Sequence, residues 1–207
     1  MDTKLSFTRH FKKLKPQKIY LCHLGIPMGQ ALEQLDDTLI QFIKKQQMFF
    51  VGTAGSGGRV NISPKGMDSL RIINPKKVVW LNLTGSGNET AAHVLETNRI
   101  TIMFCAFEGN PLILRLYGKA TVIHPRDNEW DETISLFQDL PGKRQVFVID
   151  IESVAGSCGF GVPLFEYKGN REDLIEWASG KTDSEIKSYW ERKNQASIDG
   201  KPTHIFG

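Results

Sequence analysis

The order of apolar and polar positions divides the chain into one early helical stretch followed by a succession of short strands. Over residues 31–45, Leu32, Leu35, Leu39, Phe42 and Ile43 recur at intervals of three and four, which predicts a helix ending near Gln46 and Gln47. The character then changes. Residues 48–53 are apolar, 54–58 form a Gly/Ser turn and 59–63 resume, so the pair predicts a hairpin. Pro64 is expected to stop the second strand, because proline cannot donate to a ladder. Further strands are predicted over 77–83, 99–107, 112–123, 145–151 and 153–160. Gly118, inside the long fifth strand, marks a bulge or a close backbone approach. Helices are predicted at 91–97, at about 127–137 and at 184–193, the last behind a capping box, Thr182-Asp183-Ser184-Glu185. Hairpin-joined strands with few helices between them predict an antiparallel, mainly β barrel with peripheral helices.

Length and charge narrow this picture. The 207 residues predict one domain over 1–207. Residues 1–30, basic and broken by Pro16, Pro27 and Gly29, read as an N-terminal arm, and 181–207 as a C-terminal helix and tail. Twenty-six Lys plus Arg against 23 Asp plus Glu leaves a net charge of +3, too small an excess to argue for nucleic acid or an anionic membrane. No run of about eighteen apolar residues predicts a membrane span, and no apolar segment near Met1 predicts a secretory signal. Cys22, Cys105 and Cys158 are odd in number and lack CxxC spacing, which speaks against a disulfide framework and against structural zinc. Cys105 reads as a core thiol and Cys158 as an exposed one, and a reducing cytoplasm is the expected compartment. The five histidines lack metal-ligand spacing, and His93 reads as structural.

Candidate chemistry gathers after the third strand. Trp80-Leu81-Asn82-Leu83-Thr84-Gly85-Ser86-Gly87-Asn88-Glu89-Thr90 runs from a strand through a small-residue loop into a helix start. Glycines let backbone N–H groups approach a ligand, and a first helical turn offers free donors and partial positive charge to a phosphate. The same loop also reads as a capping box, Ser86-x-x-Glu89, with no ligand at all. A third reading is a degenerate dinucleotide fingerprint, Gly85-x-Gly87-x-x-Thr90, with Glu108 ending the next strand. Its third glycine is missing, and no further strand–helix alternation follows. Lys65 ends a strand within Asn61-Ile62-Ser63-Pro64-Lys65-Gly66, as a mobile cation or a solvated one. Arg115, inside the apolar run 112–117, either meets an acidic or phosphate partner or faces water by alternation.

Taken in order, VNISPKG, VVWLNLTGSGNETAAHVLETNRITIMF and LILRLYGKATVI resemble the FMN-binding core of the pyridoxamine 5'-phosphate oxidase-like family over about residues 40–125. GSCGFGVP at 156–163 resembles a marker of one branch. The resemblance implies a split β-barrel that forms a homodimer, with FMN held in clefts between the subunits and a small-molecule substrate beside it. Position by position it assigns Asn61, Ser63 and Lys65 to the strand end that meets the flavin ring and phosphate, and Leu81, Asn82 and Thr84 to the next strand. It assigns Ser86 and Asn88 to the phosphate loop and Arg115 to a strand position near the ring. The chain departs from the oxidase in carrying Gly87-Asn88 where an Arg-Lys pair stands, and in its C-terminal residues, where Trp190 reads as a packing residue. Pyridoxamine phosphate oxidation is therefore not carried over. The expectation is an FMN-dependent oxidoreductase, since a flavin supplies hydride chemistry that these residues do not. A flavin-binding sensor or stress protein without turnover, and a barrel holding haem or a deazaflavin, are the alternatives.

Overall fold

The computed structural model describes residues 31–207; the N-terminal arm and Cys22 lie outside them. Two residues, Ala31–Leu32, form strand β1 against the distal half of a long later strand. The helix expected from residue 31 begins later, as α1, Asp37–Lys45, because the Asp36 side chain accepts from the Leu39 N–H and caps it there. Leu39, Phe42 and Ile43 form its buried face, and Lys44 and Lys45 suit the negative end of its dipole.

The hairpin follows as β2, Phe49–Ala54, and β3, Val60–Lys65. Pro64 does not stop β3: it pairs opposite Phe50 within the strand. β3 is the terminal strand of the sheet, so an absent N–H on its outer edge breaks no ladder. A short strand not foreseen in the sequence, β4, Leu70–Asn74, precedes β5, Lys77–Leu83. Helix α2, Glu89–Thr97, leads into β6, Arg99–Cys105, with Asn98 in the left-handed conformation (φ 48°) turning the corner. Strand β7, Ile113–Ile123, is followed by the short helix α3, Trp130–Ile134. The two strands expected after it are one, β8, Lys143–Ser157. Helix α4, Asp173–Ser179, was not foreseen; α5, Asp183–Lys193, starts at the expected capping box, with Thr182 and Glu185 satisfying each other's backbone N–H.

All strand pairs are antiparallel, in the order β3-β2-β6-β7-β8-β5-β4. β5 pairs with the first half of β8 and β1 with its second half, on the side of β8 away from β7. The sheet therefore divides along β8, and the fold is an antiparallel split barrel with peripheral helices. Two register steps fall in β8. Opposite Tyr117 and Gly118 the extra residue is Glu152, and opposite Asn82 and Leu83 it is Arg144. Gly118 makes the close approach expected of it: a Cβ there would stand 2.2 Å from the Asp150 carbonyl oxygen.

Alternation puts Val51, Ile102, Leu114, Leu116, Ile149 and Val154 into the main core with Trp80, Phe104 and Phe147, the Trp80 and Phe147 rings stacked at 4.8 Å. β5 is buried on both faces. Val78 and Trp80 point into that core, while Val79 and Leu81 meet Phe137 and Val146 on the other side. A strand so held is a rigid base for the loop that follows it.

Candidate functional site

β3 lies at one end of the strand order and β5 next to the other, yet both line one cleft of about 520 Å³. That volume lies within the range of roughly 300–1,000 Å³ typical of small-molecule sites. Alternation along β3 sends Asn61, Ser63 and Lys65 into it and leaves Val60 and Ile62 exposed on the opposite face. From the other side come Trp80, Leu81, Asn82 and Thr84 of β5 and its exit, then Gly85, Ser86, Gly87, Asn88 and the start of α2.

Eight of the nine residues singled out in the sequence thus meet: Asn61, Ser63, Lys65, Leu81, Asn82, Thr84, Ser86 and Asn88. Arg115 does not join them. It stands on β7 with its Nη1 donating to Ser157 Oγ at 3.0 Å. The eight also differ in what they are free to do. The side chains of Ser63, Lys65, Asn82 and Ser86 make no hydrogen bond to another described residue. Asn88 is consumed internally: its Oδ1 accepts from Gln145 Nε2 at 2.7 Å and its Nδ2 donates to the Asn194 carbonyl at 3.3 Å. Thr84 Oγ1 donates to the Gly142 carbonyl and accepts from Trp190 Nε1, both at 2.9 Å. Trp190, read as a packing residue, is therefore also a donor to the loop's first residue.

The capping-box reading of Ser86-x-x-Glu89 is not what forms. Asn88 is the N-cap and its side chain caps nothing, while the Glu89 carboxylate accepts from the Ile198 N–H at 3.0 Å. None of the backbone N–H groups of Ser86, Gly87 and Asn88 donates to a described carbonyl. Among the described residues, these loop donors are left unused.

Arg144 is the residue sequence reasoning missed. The bulge takes it out of the ladder and turns its side chain beneath the loop, where it is 3% exposed. Nη1 donates to the Gly87 carbonyl and to Asn194 Oδ1, each at 2.9 Å, and more distantly to the Gly85 carbonyl at 3.5 Å. Nε has no partner, and no carboxylate pairs with the guanidinium among the described residues. Burial lowers its pKa to about 10, with Tyr189 acting the other way, and it stays a cation at neutral pH. Lys65 is lowered to about 8 by burial and, secondarily, by Arg144; its Nζ sits 5.5 Å from the Trp80 ring centroid. Trp80 Nε1 is likewise buried without a partner in the lining. Among the described residues, two cations and one carboxylate, Glu89, line the cleft.

Elsewhere, His93 is buried with Nδ1 3.1 Å from Thr53 Oγ1, as a structural histidine would be. Cys105 is buried and Cys158 exposed, as expected. No cluster of three or more His, Cys, Asp or Glu suited to a metal occurs among the described residues, and none of their helices is long and apolar enough to cross a membrane.

Fold and cleft together define a split-barrel protein whose glycine-rich loop is backed by a buried cation. Residues 35–158 match the family model of the pyridoxamine 5'-phosphate oxidases, and the chain belongs to that family. It is 36% identical over 188 residues to the pyridoxamine 5'-phosphate oxidase family protein ustO of Aspergillus flavus, an alignment covering 82% of this chain and 76% of that one. Among solved structures it is similar in fold to a variant of HupZ from Group A Streptococcus, at a TM-score of 0.50 and 20% identity, over 58% of this chain and 98% of that one.

Proposed function

We propose that the cleft binds FMN and that the protein is an FMN-dependent oxidoreductase acting on a small molecule. The observation that carries the reading is a buried arginine that no carboxylate pairs with among the described residues, set under a glycine loop whose N–H groups at Ser86, Gly87 and Asn88 donate to no described carbonyl. Burying an uncompensated cation is costly, and a phosphate supplies the missing charge. The residues fit the whole cofactor as well as its phosphate. Ser86, the loop N–H groups and the first turn of α2 suit the phosphate, with Lys65 and Arg144 supplying charge. Ser63, Asn82 and Trp80 Nε1 leave polar groups for the edge of a flat heterocycle lying along β5.

When bound, the isoalloxazine would supply hydride transfer, which no side chain here provides. The chain's own part is to bind, orient and shield. Trp80 fixes the cleft floor by stacking on Phe147, and the doubly buried β5 keeps Asn82 and Thr84 in register with it. A homodimer belongs to the same proposal. Edge strand β3 exposes Val60 and Ile62, each 68% accessible, and a second copy would cover such a face. Arg115, away from its own cleft, is offered there as a residue for the partner's flavin. The two described thiols, both free, fit a reducing cytoplasm.

The reaction is tested by mixing FMN-loaded protein anaerobically with NADH or NADPH and following absorbance near ~450 nm. Bleaching by a nicotinamide supports an oxidoreductase. Bleaching by dithionite alone would leave a flavin-binding protein without that turnover and overturn the enzymatic part.

A further inference from the structure

The segment after α5 is built onto the phosphate loop. Asn194, fully buried, lies at the centre. Its Oδ1 accepts from Arg144, its Nδ2 donates to the Gly85 carbonyl at 3.1 Å, and its own carbonyl accepts from Asn88 Nδ2 and, at 2.6 Å, from Thr203 Oγ1. A small hairpin closed by Ala196 and Pro202 continues the contact. The Ile198 N–H meets Glu89, Asp199 accepts from the Arg59 N–H at 2.7 Å, and Lys201 pairs with Glu96 and donates to the Gly57 carbonyl at 2.8 Å. One stretch of chain thus ties together the β2–β3 turn, the loop and α2.

The contact sets the direction of the loop's donors. In a trans peptide the carbonyl of one residue and the N–H of the next point opposite ways. Arg144 and Asn194 draw the Gly85 and Gly87 carbonyls toward themselves, so the N–H groups of Ser86 and Asn88, two residues of the cleft lining, face away from that pair. Without the two side chains a glycine loop has many conformers of similar energy, and few of them present both donors at once.

We propose that Asn194, acting through Arg144 and the loop carbonyls, is the positioning residue for the anion subsite, so that docking of residues 194–203 and binding of a phosphate group are coupled. The proposal rests on the FMN reading for its ligand but concerns the phosphate alone. By linkage, whatever the docked tail adds to phosphate affinity, bound phosphate adds to tail docking. Replacing Asn194 by Asp is the sharper of two variants. It keeps an acceptor for Arg144 but loses the donor to Gly85, and it neutralises the buried cation.

The test compares FMN with riboflavin, which lacks the phosphate, by fluorescence titration of wild type, Asn194→Ala and Asn194→Asp. Amide hydrogen exchange over residues 190–203 is read alongside, in wild type with and without FMN. The preference of wild type for FMN over riboflavin should fall about tenfold or more in Asn194→Ala and further in Asn194→Asp, with riboflavin affinity little changed. FMN, and not riboflavin, should slow exchange over 190–203 in wild type, a readout that needs no variant to fold. FMN preference unchanged in both variants, or exchange indifferent to FMN, would overturn the proposal while leaving flavin binding intact. Should wild type bind neither flavin, the FMN reading is what fails. The coupling is then read with inorganic phosphate: slower exchange over 190–203 upholds it, and unaltered exchange overturns it.

Discussion

A guanidinium taken out of water with no carboxylate beside it must be met by carbonyls, by an anion or by both, and among the described residues Arg144 has only the first. Lys65 completes the pair, and its pKa of about 8 makes the site sensitive to pH. Burial, then Arg144, depresses that value, so free Lys65 is charged below about pH 8 and neutral above it. A bound phosphate dianion raises it, so binding above pH 8 takes up a proton. FMN affinity should therefore fall between pH 7 and 9, by at most about tenfold per unit above the free pKa. Lys65→Gln should weaken binding at pH 7 by about 1–3 kcal/mol and flatten the profile. Titrations across that range check both, and a wild-type profile as flat as the variant's would place Lys65 away from the phosphate. His124 gives a separate effect on stability. Burial, then Arg126, lowers its pKa to about 4, against 6.5 ordinarily, so its protonation favours the unfolded chain as pH falls from 6.5 toward 4. The loss should be roughly 2 kcal/mol after solvent screening, and His124→Gln should remove that part of the slope in denaturant midpoints measured at pH 7 and pH 4.5. A slope unchanged in the variant would assign it elsewhere. At this scale the sequence pointed to Lys65 and Ser86 through their neighbours, and the structure places both in the cleft lining, but nothing in the sequence pointed to Arg144. A bulge residue obeys no period, and Lys143-Arg144 before a strand looks like any solvated pair.

Elements whose apolar spacing was long and regular were legible. β5 and the capping box of α5 fall where the pattern put them. β4 was not, since five residues with Arg71 among them give too short an alternation, and α4 has seven residues and no side-chain cap. β8 read as two strands because Glu152, the extra residue of its second bulge, interrupts the alternation while the ladder with β7 runs on past it. That crossing depends on Gly118. An alanine Cβ would stand 2.2 Å from the Asp150 carbonyl oxygen, a backbone atom held by pairing on both sides of β8. Gly118→Ala should cost roughly 2–4 kcal/mol in chemical denaturation. A variant within 0.5 kcal/mol of wild type, as surface changes usually are, would show that β7 and β8 slide apart freely there.

In the whole molecule, the cleft is assembled from β3 near one end of the sheet, β5 near the other, a bulge in β8 and the C-terminal segment. Sequence order made the first two recognisable together; the last two reach the loop only through the fold. Neither core cluster contains a residue beyond 180. A chain ended after Gly180 should keep a β-type far-UV spectrum yet lose at least about tenfold in FMN affinity, since Trp190 and Asn194 are gone. Loss of the β signal would put α5 in the core, and full affinity would deny the tail any part in the site. The measurement that bears most directly on the account is the visible absorption spectrum of the purified protein after adding FMN and desalting. Bands near ~370 and ~450 nm that stay with the protein, and are lost in Arg144→Ala, are the predicted result. A desalted protein without those bands, or one showing a Soret band instead, would contradict FMN as the ligand of this cleft.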